Sequence, residues 1–224
     1  NLVVKIPKEM KDYRQGAFCA LGGIALQGIH QAKVVPGETV AVIGLGLLGH
    51  ITARILSAYG CDVIGYDIKD KSLPGTRLKA FINSNDENAG DITKSFTKSR
   101  GVDKVIITAA TNSNDPMDLA AAITRDRGII CMIGVTKMNI DRRLYYEKEL
   151  TFTIARSYGP GRYDSNYEEK GIDYPIGYVR FTEGRNIEEF IRLISEKRVD
   201  LADLITHEID FEKAEVAYEM ITTN

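Results

Sequence analysis

The stretch "ETVAVIGLGLLGHITARILSAYGCDVIGYDIKD", residues 38–70, decides the fold. It opens on an apolar run, "TVAVIG" (39–44), and closes on another, "CDVIGYD" (61–67), both rich in the Val and Ile that suit a buried pleated surface. Between them "LLGHITARILSAY" sets Leu48, Ile51, Ile55 and Tyr59 at helical spacing, and Gly60 supplies the stop. The pattern predicts strand, helix and strand in about thirty residues, a unit whose right-handed crossover returns the second strand parallel to the first.

Gly44, Gly46 and Gly49 form GxGxxG at the join between the first strand and the helix. The first glycine permits a tight turn, the second lets backbone approach a pyrophosphate, and the third lets helix pack closely on strand. Gly44 to Gly49, including Leu45, Leu47 and Leu48, are therefore candidate contacts to a dinucleotide, with the helix N-terminus offering unpaired N–H groups to its phosphates. Asp67 ends the second strand 23 positions after Gly44, where a carboxylate can accept bonds from both adenosine ribose hydroxyls. Its charge repels the extra phosphate of NADP, so NAD is the expected cofactor and NADP the less favoured one. Ile68 and Lys69 follow it; Lys69 is a cation that could partly offset this repulsion, with a solvated turn lysine as the stronger reading. The competing reading is a plain glycine turn with a solvated aspartate at a strand end.

The alternation continues downstream. A short strand is expected at Phe81–Ser84, a polar helix over 88–100, a buried strand in "VDKVIITAA" (102–110), a helix over 116–128 between Pro116 and Gly128, and a buried strand in "IICMIGV" (129–135). This order implies an α/β fold of the Rossmann type, a doubly wound parallel sheet with helices on both faces. Upstream, "GAFCALGGIALQGIHQAKVVPGE" (16–38) reads as a helix of small apolar residues ending at the turn Pro36-Gly37. Downstream come a strand in "LTFTIARS", a long irregular segment, an amphipathic helix with Ile187, Phe190, Ile191 and Ile194 on one face, and a final helix.

The chain has 224 residues, 44% of them hydrophobic and 27% charged, with a formal net charge of -2. At that size roughly 70% of the unfolded chain's surface can be buried. There is no basic excess of the kind that favours nucleic acid or an anionic membrane, and the first residues form neither a signal peptide nor a membrane span, so a cytoplasmic setting is expected. Cys19, Cys61 and Cys131 are far apart in apolar stretches, which suits reduced buried thiols.

The runs "GAFCALGGIALQGIHQAKVVPGETVAVIGLGLLG", "GVDKVIITAA", "RDRGIICMIGV" and "LITHEIDFEKAEVAYEMI" resemble the medium-chain dehydrogenase/reductase family, the alcohol and threonine dehydrogenase type. "SYGPGRYD" (157–164), "YEEKG" (167–171) and "DYPIGYVR" (173–180) resemble a branch fused to a second oxidoreductase module. The resemblance implies an NAD-dependent oxidoreductase acting on an alcohol or carbonyl of a small molecule, such as a sugar or nucleotide sugar. It implies further cofactor contacts at Ala109, Ala110, Thr111, Gly134 and Val135. It also implies a fragment: residues 1–14 as a catalytic-domain remnant and linker, with "NLVVKIP" as its last strand, 15–204 as the NAD-binding domain, and 205–224 as the return segment. A homodimer and a fused oxidoreductase module are the partners it suggests. The other class of function weighed is a non-catalytic nucleotide-binding module that orders or regulates a partner oxidoreductase.

In zinc-using relatives the position of Cys19, seventeen residues before Pro36, holds a catalytic zinc ligand. A small buried thiol is the stronger reading here, and no metal is expected. Tyrosines crowd the region 145–178 together with Arg156, Arg162 and Arg180; Arg162 and Tyr163 are candidate substrate contacts, against an equal reading of the segment as an interface. His30, His50 and His207 are read as structural, and no catalytic residue is assigned.

Overall fold

The computed structural model describes residues 3–71 and 74–223. Six parallel strands form one sheet: β1 (Thr39–Ile43), β2 (Asp62–Asp67), β3 (Ala80–Asn83), β4 (Val102–Ile107), β5 (Thr124–Met132) and β6 (Thr151–Ile154), in the order β3-β2-β1-β4-β5-β6. The order runs outward in both directions from β1, which is the doubly wound Rossmann arrangement. The reversal lies between β1 and β4, and ligands of open parallel sheets bind beyond the carboxyl ends of strands at such a point.

Alternation along β1 builds two cores. Val40 and Val42 face one layer with Val63, Ile106 and Cys131, covered by α1 (Cys19–Gln31), α2 (Leu47–Ala58) and the later helix Glu183–Ser195. Ala41 and Ile43 face the other layer with Ile64, Tyr66, Val105 and Ile130, covered by α3 (Ala89–Phe96) and α4 (Asp115–Ile123). Side chains two apart point to one face of a strand, so a single apolar run serves both layers. Cys61 and Cys131 are buried free thiols, and burial raises them to about 11 and about 12; Cys19 is half-buried.

The stretch expected as one helix over 116–128 divides. The helix stops at Ile123 and β5 starts at Thr124 with a register shift against β4, so residues 125–128 bulge outward. Two contacts hold the stop. The Lys148 ammonium takes the carbonyls of Ala121, Ala122 and Thr124, each at 2.8 Å, and so satisfies groups that the helix end leaves without partners. Arg125 Nε donates to Asp103 Oδ1 at 2.6 Å and draws the bulge onto β4. The expected helix over 16–38 is also shorter: a 3-10 turn covers Tyr13–Phe18 and α1 ends at Gln31. The polar helix is likewise confined to α3. No strand forms at Val3–Pro7, where the backbone has no neighbouring ladder to join; Asn1 and Leu2 lie outside the described residues.

After β5 come α5 (Arg142–Glu147), α6 (Ser165–Glu168), α7 (Glu183–Ser195) and α8 (Ala214–Thr223). Phe190 of α7 packs on α1 over Gly22, where an added Cβ would lie 2.2 Å from the ring. The segment before α1 meets the segment after α7: Gln15 Oε1 accepts from Leu201 N at 2.8 Å and Arg14 pairs with Glu208. No helix among the described residues is long and apolar enough to cross a membrane.

His30 near the end of α1 stacks on Phe181 with ring centroids 3.9 Å apart. Burial holds its imidazole down to about 4; the nearby Glu189 charge pulls the other way, and Arg180 adds to the depression. The unfolded chain, with histidine near 6.5, then binds a proton that the folded chain refuses between those values. Stability is therefore full above pH 6.5 and falls as pH drops toward 4, by about 3 kcal/mol for this group. Urea denaturation across that window is expected to show the slope, and His30→Leu to flatten it in part, because His50 is depressed in the same direction.

Candidate functional site

Three strand ends converge on the glycine turn. Gly44 leaves β1 at φ +101°, a conformation that strains any side chain, and a Cβ there would stand 2.6 Å from Ala109 N. Gly49 sits so close beneath the turn that a Cβ would fall 1.9 Å from the Gly44 carbonyl oxygen. The Thr108 hydroxyl donates to that same oxygen at 2.6 Å and holds the turn against β4. Packing inside the protein thus demands both glycines. Gly46 differs: its φ of -77° suits any residue, and a Cβ there would meet nothing within 4 Å.

Gly46 is the N-cap of α2 and makes no side-chain capping bond, so the first-turn N–H groups of the helix are left for another acceptor. They border a cavity of about 440 Å³. Gly44, Gly46, Leu47, Leu48 and Gly49 line it from the turn, Asp67 and Ile68 from the end of β2, and Ala109, Ala110 and Thr111 from the loop after β4. Leu45 lies in the core beneath the turn and Lys69 stands outside the lining; each sends its backbone N–H to Asp67, at 2.7 Å and 3.2 Å. Gly134 and Val135 also stand outside it. They brace the β4 loop, with Val135 N donating to Ala109 O at 3.0 Å and Thr111 N to Val135 O at 2.8 Å.

Sequence reasoning missed several lining residues. Lys71 places its ammonium 3.3 Å from the Asp67 carboxylate, closing an ion pair on a group that is only 7% exposed. Ser84 and Asn85 follow β3, and Thr108 follows β4. The rule that ligands gather at strand ends could have found all three. Ser113 and the start of α4, at Asp115 and Pro116, complete the far wall. The ionisable side chains of the lining are Asp67, Lys71 and Asp115, a set whose carboxylates can accept from hydroxyl groups.

Behind the turn, buried His50 shares a 2.8 Å hydrogen bond with the Thr76 hydroxyl, and burial first, then neighbouring Arg54, holds its imidazole below the usual range. Arg54 in turn reaches Asp203 at 2.5 Å and the Asp200 carbonyl. This network ties α2 to the segments that follow β2 and α7.

Arg162 and Tyr163 do not line the cavity. Arg162 pairs with Glu168 at 2.5 Å and lies 4.1 Å from the Tyr163 ring centroid; Arg156 lies 5.5 Å from that ring and donates to the Arg162 carbonyl. Tyr167 donates to the Thr182 hydroxyl at 2.9 Å and stacks on Tyr174, whose hydroxyl binds Asp164. Much of the segment's tyrosine and arginine is thus spent on its own shape. Among the described residues no group of three or more His, Cys, Asp or Glu side chains is placed to hold a metal ion.

Comparison with known proteins places this geometry. The family described as D-isomer specific 2-hydroxyacid dehydrogenase, NAD binding domain, matches residues 1–87. The probable D-xylulose reductase A of Neosartorya fischeri is 25% identical over 227 residues, an alignment that covers 97% of this chain and 56% of that protein. The chain thus spans about half the length of the curated relatives it matches. Among solved structures, an alcohol dehydrogenase from Thermus sp. ATN1 has a TM-score of 0.72 at 21% identity, over 98% of this chain and 59% of that one. A short chain alcohol dehydrogenase from E. coli, complexed with NADH, has a TM-score of 0.75 at 18% identity, over 99% and 59%. These structures share the fold.

The three glycines are expected to separate in stability. Gly44→Ala and Gly49→Ala should each cost about 2 kcal/mol or more in urea denaturation, through strain and overlap, whereas Gly46→Ala should stay within about 1 kcal/mol.

Proposed function

We propose that residues 15–204 are the cofactor-binding unit of a nicotinamide-dependent oxidoreductase of the medium-chain dehydrogenase/reductase type, with NAD preferred to NADP. One observation carries the reading: Gly46 has no side chain although neither its backbone angle nor any protein neighbour requires this, and it stands at an uncapped helix N-terminus on an open cavity. A pyrophosphate accounts for the missing side chain and for the unpaired N–H groups together. The matched NAD binding domain description and the NADH carried by a structural neighbour support the choice of cofactor.

The residues present fit such a group. The turn Gly44–Gly49 and the first turn of α2 would hold the phosphates, and Asp67 would accept from the adenosine ribose with Lys71 beside it. Ala109, Ala110 and Thr111 would border the path toward the nicotinamide, with Gly134 and Val135 fixing their backbone. When bound, the cofactor supplies the hydride that passes between nicotinamide and an alcohol or carbonyl carbon. The chain's part is to bind and orient it. Of the expected sugar or nucleotide sugar, the likeness to a probable D-xylulose reductase supports a sugar as the substrate. We keep Arg162 and Tyr163 at the substrate edge, chiefly through the exposed Tyr163 ring, since Glu168 neutralises Arg162.

Fluorescence titration with NADH and NADPH tests the assignment. Gly46→Val is expected to weaken NADH binding by tenfold or more, as a side chain fills the approach, while the melting temperature falls by no more than about 4 °C. Asp67→Ser should weaken NADH and narrow its advantage over NADPH. Unchanged affinities for both cofactors in both variants would overturn the reading. Hydride transfer by the whole protein, followed at the nicotinamide absorbance, distinguishes an enzyme from a module that only binds.

A further inference from the structure

A second cleft, of about 320 Å³, opens at the opposite end of α2 from the glycine turn, between that helix, the loop after β2 and the turn after α7. Arg54, Arg77, Lys197 and Arg198 line it, with Asp200 and Asp203 as the acidic residues, so four cations face two anions and the formal balance is +2 in a chain of net charge -2. Those anions are already engaged. Asp203 receives both ends of the Arg54 fork, and Asp200 accepts from the Ala202 N–H at 3.0 Å. Arg198 gives one N–H to the Ala58 carbonyl at 2.7 Å, which also masks the negative end of the helix.

The excess positive charge is therefore unspent. Arg77 and Lys197 have no ion-pair partner among the described residues, and both sit at left-handed backbone positions, φ +51° and +56°, that strain a non-glycine residue. Beneath them the cleft has two unsatisfied polar atoms: Arg54 Nε, on a side chain only 3% exposed, and Ser57 Oγ, both buried with no hydrogen-bond partner. A buried donor left unpaired is costly, and cations concentrated without counter-charge repel one another.

We infer that this cleft is a binding site for a phosphate monoester or other phosphoryl anion, distinct from the glycine-turn cavity. A phosphoryl group carries about -1.5 to -2 charges at neutral pH and three strong acceptor oxygens, which matches both the balance and the guanidinium forks around it. The cleft is larger than the phosphoryl group, so there is space for an ester substituent such as a sugar. Its ligand joins α2 to the 197–203 turn, the same connection that Arg54 and Asp203 make from below.

The test is thermal unfolding of the intact chain titrated with sodium phosphate and pyrophosphate, against sodium chloride at matched ionic strength. Three proteins are compared: the unsubstituted chain, Gly46→Val, and the double variant Arg77→Ala/Lys197→Ala, whose exposed side chains hold no packing. A saturable rise of about 2–4 °C is expected at about five times the dissociation constant. It should persist in Gly46→Val and weaken at least tenfold in the double variant, with NADH affinity unaltered there. A rise that vanishes in Gly46→Val and survives in the double variant assigns the anion to the glycine turn and overturns the inference. So does a rise that chloride reproduces, or the lack of any saturable response. Loss of NADH binding in unsubstituted protein would strike the cofactor reading alone.

Discussion

The structure turns on one contact without side chains: the start of α2 presses on the carbonyl of Gly44, with Gly49 leaving no Cβ between them. Close approach there brings the helix axis onto the end of β1, and Thr108 locks the same oxygen from β4. The helix N-terminus is thereby aimed across the reversal of strand order. A larger residue at position 49 would lift the helix, and the uncapped N–H groups would no longer border the cavity that β2 and β4 help to form. Core packing and the shape of the cavity are set by the same backbone contact.

Asp67 extends that constraint sideways. Its carboxylate is held by the N–H groups of Leu45 and Lys69 and by the Lys71 ammonium, so one nearly buried charge joins the glycine turn to the end of β2. Burying a charge is tolerable when donors surround it. A ribose at this place would bind a carboxylate whose position the protein has already fixed, which limits the ordering that binding requires.

Much of this was legible in the sequence because it depends on local pattern. The Val and Ile runs of β1 and β2, the 3.6-residue spacing of Ile51 and Ile55, and the glycine spacing all sit within one crossover unit, and each predicts its own neighbours. The places where reading went astray depend on residues distant in sequence. The helix ending at Ile123 is capped by Lys148, twenty-five positions away, and no propensity at Arg125 or Asp126 announces that. Lys71 escaped notice because a cation after a strand looks like solvent-facing decoration until the fold curls it back on Asp67. The tyrosine and arginine segment showed its chemistry but not its partners: Glu168 and Asp164 take up groups that composition alone would offer to a ligand.

The meeting of residues 14–15 with residues 201 and 208 has its own consequence. Gln15 accepts from the backbone at Leu201, and Arg14 reaches Glu208, so the polypeptide enters and leaves the sheet and its covering helices at nearly the same place. A unit with adjoining ends behaves as a cassette: it can be spliced into a host loop without stretching the host, and its own ends can be joined and reopened elsewhere without disturbing the sheet.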